Sequence, residues 1–223
     1  MSIEENVKKI KQLINEKSKD KVTIVAVTKG RSEEDIKKAM GCGLAVFGEN
    51  RVQEAIKKWS ELRKYPNTSH YELHLIGHLQ SNKVRKAVEF FDMIESLDKM
   101  KTAEKINRCC GELGKKMNVL IQVNIGEEKT KFGVKPELLM NFLKQVIKLK
   151  NINVRGLMTI APYIEPEKTR IYFKRMKKLF DEAQKIKAMN YLSMGMTNDF
   201  IIAIEEGSNM VRIGRGIFGE YGG

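Results

Sequence analysis

Eight short apolar runs recur along this chain, each followed by a stretch with helical periodicity, and no linker interrupts the series. The runs cover residues 22–28, 44–48, 73–77, 93–97, 119–123, 154–159, 191–196 and 210–214. The first, Val22 to Thr28, is rich in β-branched side chains and apolar on both faces, the pattern of a strand in a parallel sheet. Helical spacing fills the gaps: over 33–42, up to 59, from about 81, and over 99–116, 136–150, 165–189 and 198–206. Strand-then-helix alternation implies parallel strands joined by right-handed crossovers. Eight such units after one N-terminal helix predict an α/β fold, a closed (β/α)8 barrel of the TIM type. An open doubly wound sheet is the alternative, and the count favours the barrel. A length of 223 residues suits one barrel, so residues 1–223 are read as one domain.

Composition removes several other classes. Hydrophobic residues make up 42% and prolines number four, which fits an ordered core. No apolar stretch approaches a membrane span, and the N-terminal segment is charged and amphipathic without a signal-peptide core. A cytosolic (cytoplasmic) protein with no membrane partner is therefore expected. Cys42, Cys109 and Cys110 are odd in number and lack zinc-finger spacing, so reduced thiols are expected. The formal charge of +13 raises nucleic acid or an anionic small molecule as partners. Yet the lysines are scattered over nearly every helix and often paired with glutamate, as in 32–38, with no aromatic-interleaved basic stripe. Solvated helix faces account for that charge, and nucleic-acid binding is not expected.

In such a barrel the residues just after each strand share one rim, the face where active sites collect. Here they are Lys29, Asn50, His78 with Gln80, Asn124, Thr159, the stretch 193–199 and the turn 214–216. The set is polar and glycine-rich, which suits a small polar ligand. A strand-end lysine can simply point into water. A partly desolvated one loses its proton more readily, and the neutral amine attacks aldehydes. The last run leads into Gly214-Arg215-Gly216-Ile217-Phe218-Gly219, formally a G-x-G-x-x-G string. A dinucleotide fingerprint needs a further helix, strand and acidic residue, and only four residues follow Gly219, so that reading fails. Small residues still let backbone N–H groups approach a phosphate, and barrels often bind phosphate after strands seven and eight. Ser193, Gly195 and Thr197 lie near the same place. His70, His74 and His78 repeat every four residues, but no cysteine completes a metal site and Glu72 is the only carboxylate between them. His74 is read as a hydrogen-bonded core residue, and no metal is expected. No G-x-S-x-G elbow supports hydrolysis.

Six stretches carry a wider likeness: Val27-Thr28-Lys29, 47–54 (Phe47-Gly48-Glu49-Asn50 onward), 74–83 (His74 to Lys83), Gly156 to Ile160, Ser193 to Asp199, and Gly207 to Gly214. In that order, over nearly the whole chain, they resemble the pyridoxal-phosphate homeostasis proteins, a group that looks like the barrel domain of alanine racemase standing alone. The resemblance implies that Lys29 forms the internal aldimine with pyridoxal 5'-phosphate (PLP). It implies that Ser193, Gly195 and the Gly214-Arg215 turn hold the phosphate, that Arg212 lies opposite the pyridine nitrogen, and that Asn50 and Met158 lie beside the ring. Arg215 departs from the family pattern, in which many members carry a small hydroxyl residue at this position. Its N–H can still bind phosphate, but a side-chain hydroxyl contact is absent. Lys131, in the loop after the fifth run, is a candidate second contact near the ring.

The same resemblance implies a protein that holds the cofactor for its homeostasis and supply, with little or no amino-acid turnover and no catalytic residues of its own. An arginine beside the pyridine nitrogen keeps that nitrogen unprotonated and weakens the ring as an electron sink. Racemisation needs an acid or base on each face of the substrate carbon. In alanine racemase-like enzymes the second group is a tyrosine from a C-terminal β-domain, for which a chain ending at Gly223 has no room. Tyr163 and Tyr221, near strand ends, are read as structural. A racemase-like PLP enzyme is the alternative, and an RNA-binding protein a third reading. PLP itself is the expected partner, PLP-dependent apoenzymes are candidate recipients, and a monomer is expected.

Overall fold

The structure, a computed structural model, describes residues 2–65 and 70–220. Strands β1 (Thr23–Val27), β2 (Val46–Glu49), β3 (Glu72–Leu75), β4 (Met93–Leu97), β5 (Met117–Val123), β6 (Ile152–Thr159), β7 (Tyr191–Met196) and β8 (Met210–Ile213) pair in parallel in chain order. β8 returns to β1, with Val25 opposite Arg212, and closes the barrel. The helices are α1 (Ile3–Lys17), α2 (Glu33–Gly41), α3 (Val52–Leu62), α4 (Val84–Phe90), α5 (Met100–Glu112), α6 (Leu139–Val146), α7 (Arg170–Gln184), α8 (Phe200–Glu205) and α9 (Arg215–Phe218). This is the predicted α/β barrel with its extra N-terminal helix.

Local chemistry sets the boundaries. Ser2 caps α1 through the Glu5 N–H while Glu5 bonds back to the Ser2 N–H, a reciprocal box that fixes the helix start. The helices expected over 136–150 and 165–189 are shorter than the periodicity indicates. Pro136 and Pro166 each open a 3₁₀ turn, so the α-helical portions begin only at Leu139 and Arg170. The second apolar run loses Leu44 and Ala45 from its strand, because Leu44 is buried among the helices from the preceding loop.

Alternation along each strand sorts the apolar residues into two populations. Ala26, Phe47, Leu73, Ile94, Ile121 and Leu157 face outward and pack with the helices in one continuous sleeve. Val25, Ile76, Met93, Leu120, Met158 and Met210 face inward and form a second, smaller cluster on the barrel axis. Each such side chain contributes roughly 1.5–3 kcal/mol when fully buried, so the sleeve is the main source of stability. Among the described residues, no helix is long and apolar enough to cross a membrane, and Cys42, Cys109 and Cys110 are free thiols.

Candidate functional site

The end of β1 is held from outside by a buried carboxylate. Glu49 is fully buried on the outer face, and its Oε1 accepts hydrogen bonds from Thr28 Oγ1 (2.7 Å), Lys58 Nζ (2.8 Å) and Trp59 Nε1 (3.2 Å). Lys58 Nζ also donates to the Thr28 carbonyl at 2.6 Å. With Thr28 pinned outward, the alternation that turns Val25 and Val27 inward gives Lys29 the same direction.

Lys29 opens on a cavity of about 550 Å³ at the carboxyl ends of the strands, lined also by Asn50, Arg51, His78, Lys83 and Phe132. Gly77 lets the ends of β2 and β3 meet there: a Cβ at this position would lie 2.2 Å from the Asn50 carbonyl oxygen. One wall is the His78 ring stacked on Phe132, with centroids 3.8 Å apart and an interplanar angle of 8°. Phe132 is carried by a loop that Asn124 shapes through Nδ2 donation to the Glu128 and Lys131 carbonyls. His78 Nδ1 is buried and has no hydrogen-bond partner among the described residues. The volume suits a small ligand, and lysine and arginine without any lining carboxylate suit an anionic one. A second hollow of about 630 Å³ runs along α1 beside Cys42, and its lining mixes Glu4 and Glu16 with Lys8 and Lys11.

The predicted site residues fall into three groups. Lys29 and Asn50 share the cavity. Gly195, in left-handed backbone at φ 96°, packs against Phe200 and Ala203 of α8, while Gly214 packs on Val27 and leads into α9 with Arg215. The turn at Gly216 is tied to Thr197 by an N–H to Oγ1 bond of 3.2 Å, so the loops after β7 and β8 form one unit. Met158, Ser193 and Arg212 are instead buried on the barrel axis. The Arg212 guanidinium donates to Ser193 Oγ (2.6 Å) and to the Thr159 carbonyl at the end of β6 (2.7 Å). The exposed Lys131 is not among the cavity's lining residues, although its neighbour Phe132 is. Tyr163 is 85% exposed, so the packing role read from sequence is not what it has, and Tyr221 lies outside the described residues.

His74 is the hydrogen-bonded core residue that the sequence predicts, and it belongs to a longer polar chain across the barrel that the sequence does not show. Ser193 Oγ donates to Glu95 Oε2 (2.7 Å), Glu95 Oε1 meets His74 Nδ1 (2.8 Å), and His74 Nε2 reaches Glu72 Oε2 (3.3 Å) at the opposite mouth of the barrel. Burial opposes charge on His74, but hydrogen bonds and charges from Glu72 and Glu95 outweigh it and raise its pKa to about 9. Burial likewise works against the Glu95 carboxylate, and His74 and Arg212 overcome it, leaving its pKa below the usual value. Burial lowers the pKa of Arg212, with the charges of Glu95 and Asp199 opposing. The available signal was a glutamate at an inward position of an apolar strand, two residues after Met93.

Comparison with known proteins agrees with the fold. The alanine racemase N-terminal domain family matches residues 1–222. The pyridoxal phosphate homeostasis protein of Aquifex aeolicus is 43% identical over 200 residues, covering 88% of this chain and 86% of that protein. PipY of Synechococcus elongatus, solved with PLP bound, matches with a TM-score of 0.87 at 36% identity, covering 98% of this chain and 100% of that one. Alanine racemase of Clostridium difficile shares the fold at 18% identity and a TM-score of 0.76, covering 98% of this chain and 57% of the enzyme. The chain belongs to the alanine racemase N-terminal domain family and, within it, to the pyridoxal phosphate homeostasis proteins.

Proposed function

We propose that residues 1–223 act as one PLP-binding barrel domain that holds and supplies this cofactor in the cytosol, with Lys29 as the covalent attachment point. The observation that carries this reading is the inward Lys29 amine on a cationic, carboxylate-free cavity at the carboxyl rim. When bound, the cofactor supplies an aldehyde that captures primary amines. Lys29 supplies such an amine, joining Nζ to the aldehyde carbon with loss of water. Asn50 and Met158 flank the ring in this reading, and Arg212 faces the pyridine nitrogen. The backbone N–H groups of Gly195, Gly214 and Arg215 receive the phosphate. The His78–Phe132 stack keeps water from one side of the ring.

An arginine at the pyridine nitrogen favours retention of cofactor over turnover of amino acids. The protein is read as a monomer that hands PLP to PLP-dependent apoenzymes. Borohydride reduction of the PLP-saturated protein, followed by digestion and mass spectrometry, is expected to place the cofactor on the Lys29 peptide, with Lys29→Ala unlabelled there. A colourless, unlabelled protein, or full labelling of Lys29→Ala, would overturn the reading. Deuterium exchange at the α-carbon of amino acids, abolished in Lys29→Ala, would instead establish the racemase-like alternative.

A further inference from the structure

The chain that runs from the exposed Glu72 to Arg212 buries three charged residues, His74, Glu95 and Arg212, inside a barrel that also holds an apolar cluster on its axis. Burying charge is costly unless every member is paired, so such a chain calls for a role. It crosses the lumen: His74 comes from β3, Glu95 from β4, Ser193 from β7 and Arg212 from β8, with the Thr159 carbonyl of β6 at its end. Ser193 is the joint. A hydroxyl has one proton, and that proton goes to Glu95 while the oxygen accepts from Arg212.

We propose that Glu95, itself held by His74, is a positioning residue that acts through the Ser193 hydroxyl to lock the Arg212 guanidinium in place, so that Ser193 serves Arg212 and not the phosphate. The proposal rests on the reading above that Arg212 faces the pyridine nitrogen. Arg212 has five N–H donors. Bonds to Ser193 and Thr159 use two of them, fix the plane of the fork and leave donors for an acceptor above it. The groups facing this fork are Glu95 and Asp199 as anions and Ser193 as the neutral link. His74, cationic between its two carboxylates, keeps Glu95 in the acceptor form that takes the Ser193 proton.

The test uses the full chain and two variants, Glu95→Gln and Ser193→Ala, with melting curves and circular dichroism as fold controls. Affinity is measured for PLP and for pyridoxal, which has the same ring without the phosphate, together with the absorption maximum of the bound cofactor. Both variants are expected to weaken PLP and pyridoxal by the same factor, about ten- to a hundredfold as for a hydrogen bond to a charged group, and to move the absorption maximum. The double variant is expected to add little to either single change. In protein free of cofactor, the Arg212 Nη protons, assigned with Arg212→Lys, are expected to give slowly exchanging NMR signals that both variants lose. Selective loss of PLP affinity with pyridoxal binding intact in Ser193→Ala would overturn the proposal, as would unchanged Arg212 signals in the variants. If Glu95→Gln does not fold, Ser193→Ala decides alone. If the parent protein binds no PLP, the functional reading fails, while the Arg212 signals still decide the positioning role.

Discussion

The sleeve between strands and helices and the lumen inside the strands are built to different rules. Outward residues such as Phe47, Leu73 and Leu157 pack in one apolar sleeve, with Phe47 lying 5.1 Å from Trp59 and 5.7 Å from Tyr71. Inward residues include a small apolar cluster and the chain of Glu72, His74, Glu95, Ser193 and Arg212. The site draws on the inner face, while the outer face supplies the apolar sleeve and the Glu49 buttress that holds the end of β1. The sleeve tolerates any well-packed apolar set of the right volume, whereas the lumen depends on a particular series of partners.

The sharpest way to break this contrast is His74→Leu. It leaves Glu95 buried with one partner fewer, and a loss of roughly 3–5 kcal/mol in denaturant unfolding is expected. Leu157→Ala, one residue from Met158 but facing the sleeve, should cost about 3 kcal/mol as a cavity, with the PLP to pyridoxal affinity ratio unchanged. A pH series separates the two regions further. The folded pKa of His74, about 9, stands above its ordinary 6.5, so its contribution to stability is complete below pH 6.5 and is lost as pH rises through about 9. Glu95 has the opposite sign: its folded pKa lies below 4.5, so its contribution is present above that value and is lost on acidification. Melting temperatures of the parent protein should fall between pH 6.5 and 9, and His74→Leu should flatten that slope while Leu157→Ala leaves it intact. The smallest effect belongs to Met158→Leu. A volume-conserving change on the apolar side of the lumen should cost less than about 1.5 kcal/mol by thermal melting.

Much of the sleeve is readable from the sequence. Strands β4 and β7 begin and end where the apolar runs do, since continuous hydrophobic runs bounded by turns are what a parallel strand requires. Lys29 is readable as a strand-end amine, and its inward direction follows from alternation. The lumen is another matter. Which inward residues meet depends on register, and the register shifts within β4·β5 between Ile94 and Leu97, and within β7·β8 between Ser193 and Met196. No local pattern announces those shifts, so nothing in the string connects Glu95 to Ser193, ninety-eight positions later. The buttress of Glu49, Lys58 and Trp59 behind Thr28 was missed for a related reason. A glutamate at a strand end reads as solvated until the helix that covers it is in place.

Closure of the ring has a consequence for how the chain comes to be folded. β1 pairs with β8, Asn6 of α1 donates to the Ile217 carbonyl, and Arg31 donates to the carbonyls of Phe218, Gly219 and Glu220. The opening segment pairs early with β2 and α2 but finds its remaining partners only near the far end of the chain. Such sequence-distant contacts are slow to form, because a long loop must be ordered before they reward it. On a ribosome, α1 and β1 emerge ahead of the rest of the barrel, and β1 keeps an unpaired edge until β8 and α9 have cleared the exit tunnel. The rim that carries Lys29 and Gly214 is then the seam sewn last, and the protein is ready to receive a ligand only once β8 has docked against β1.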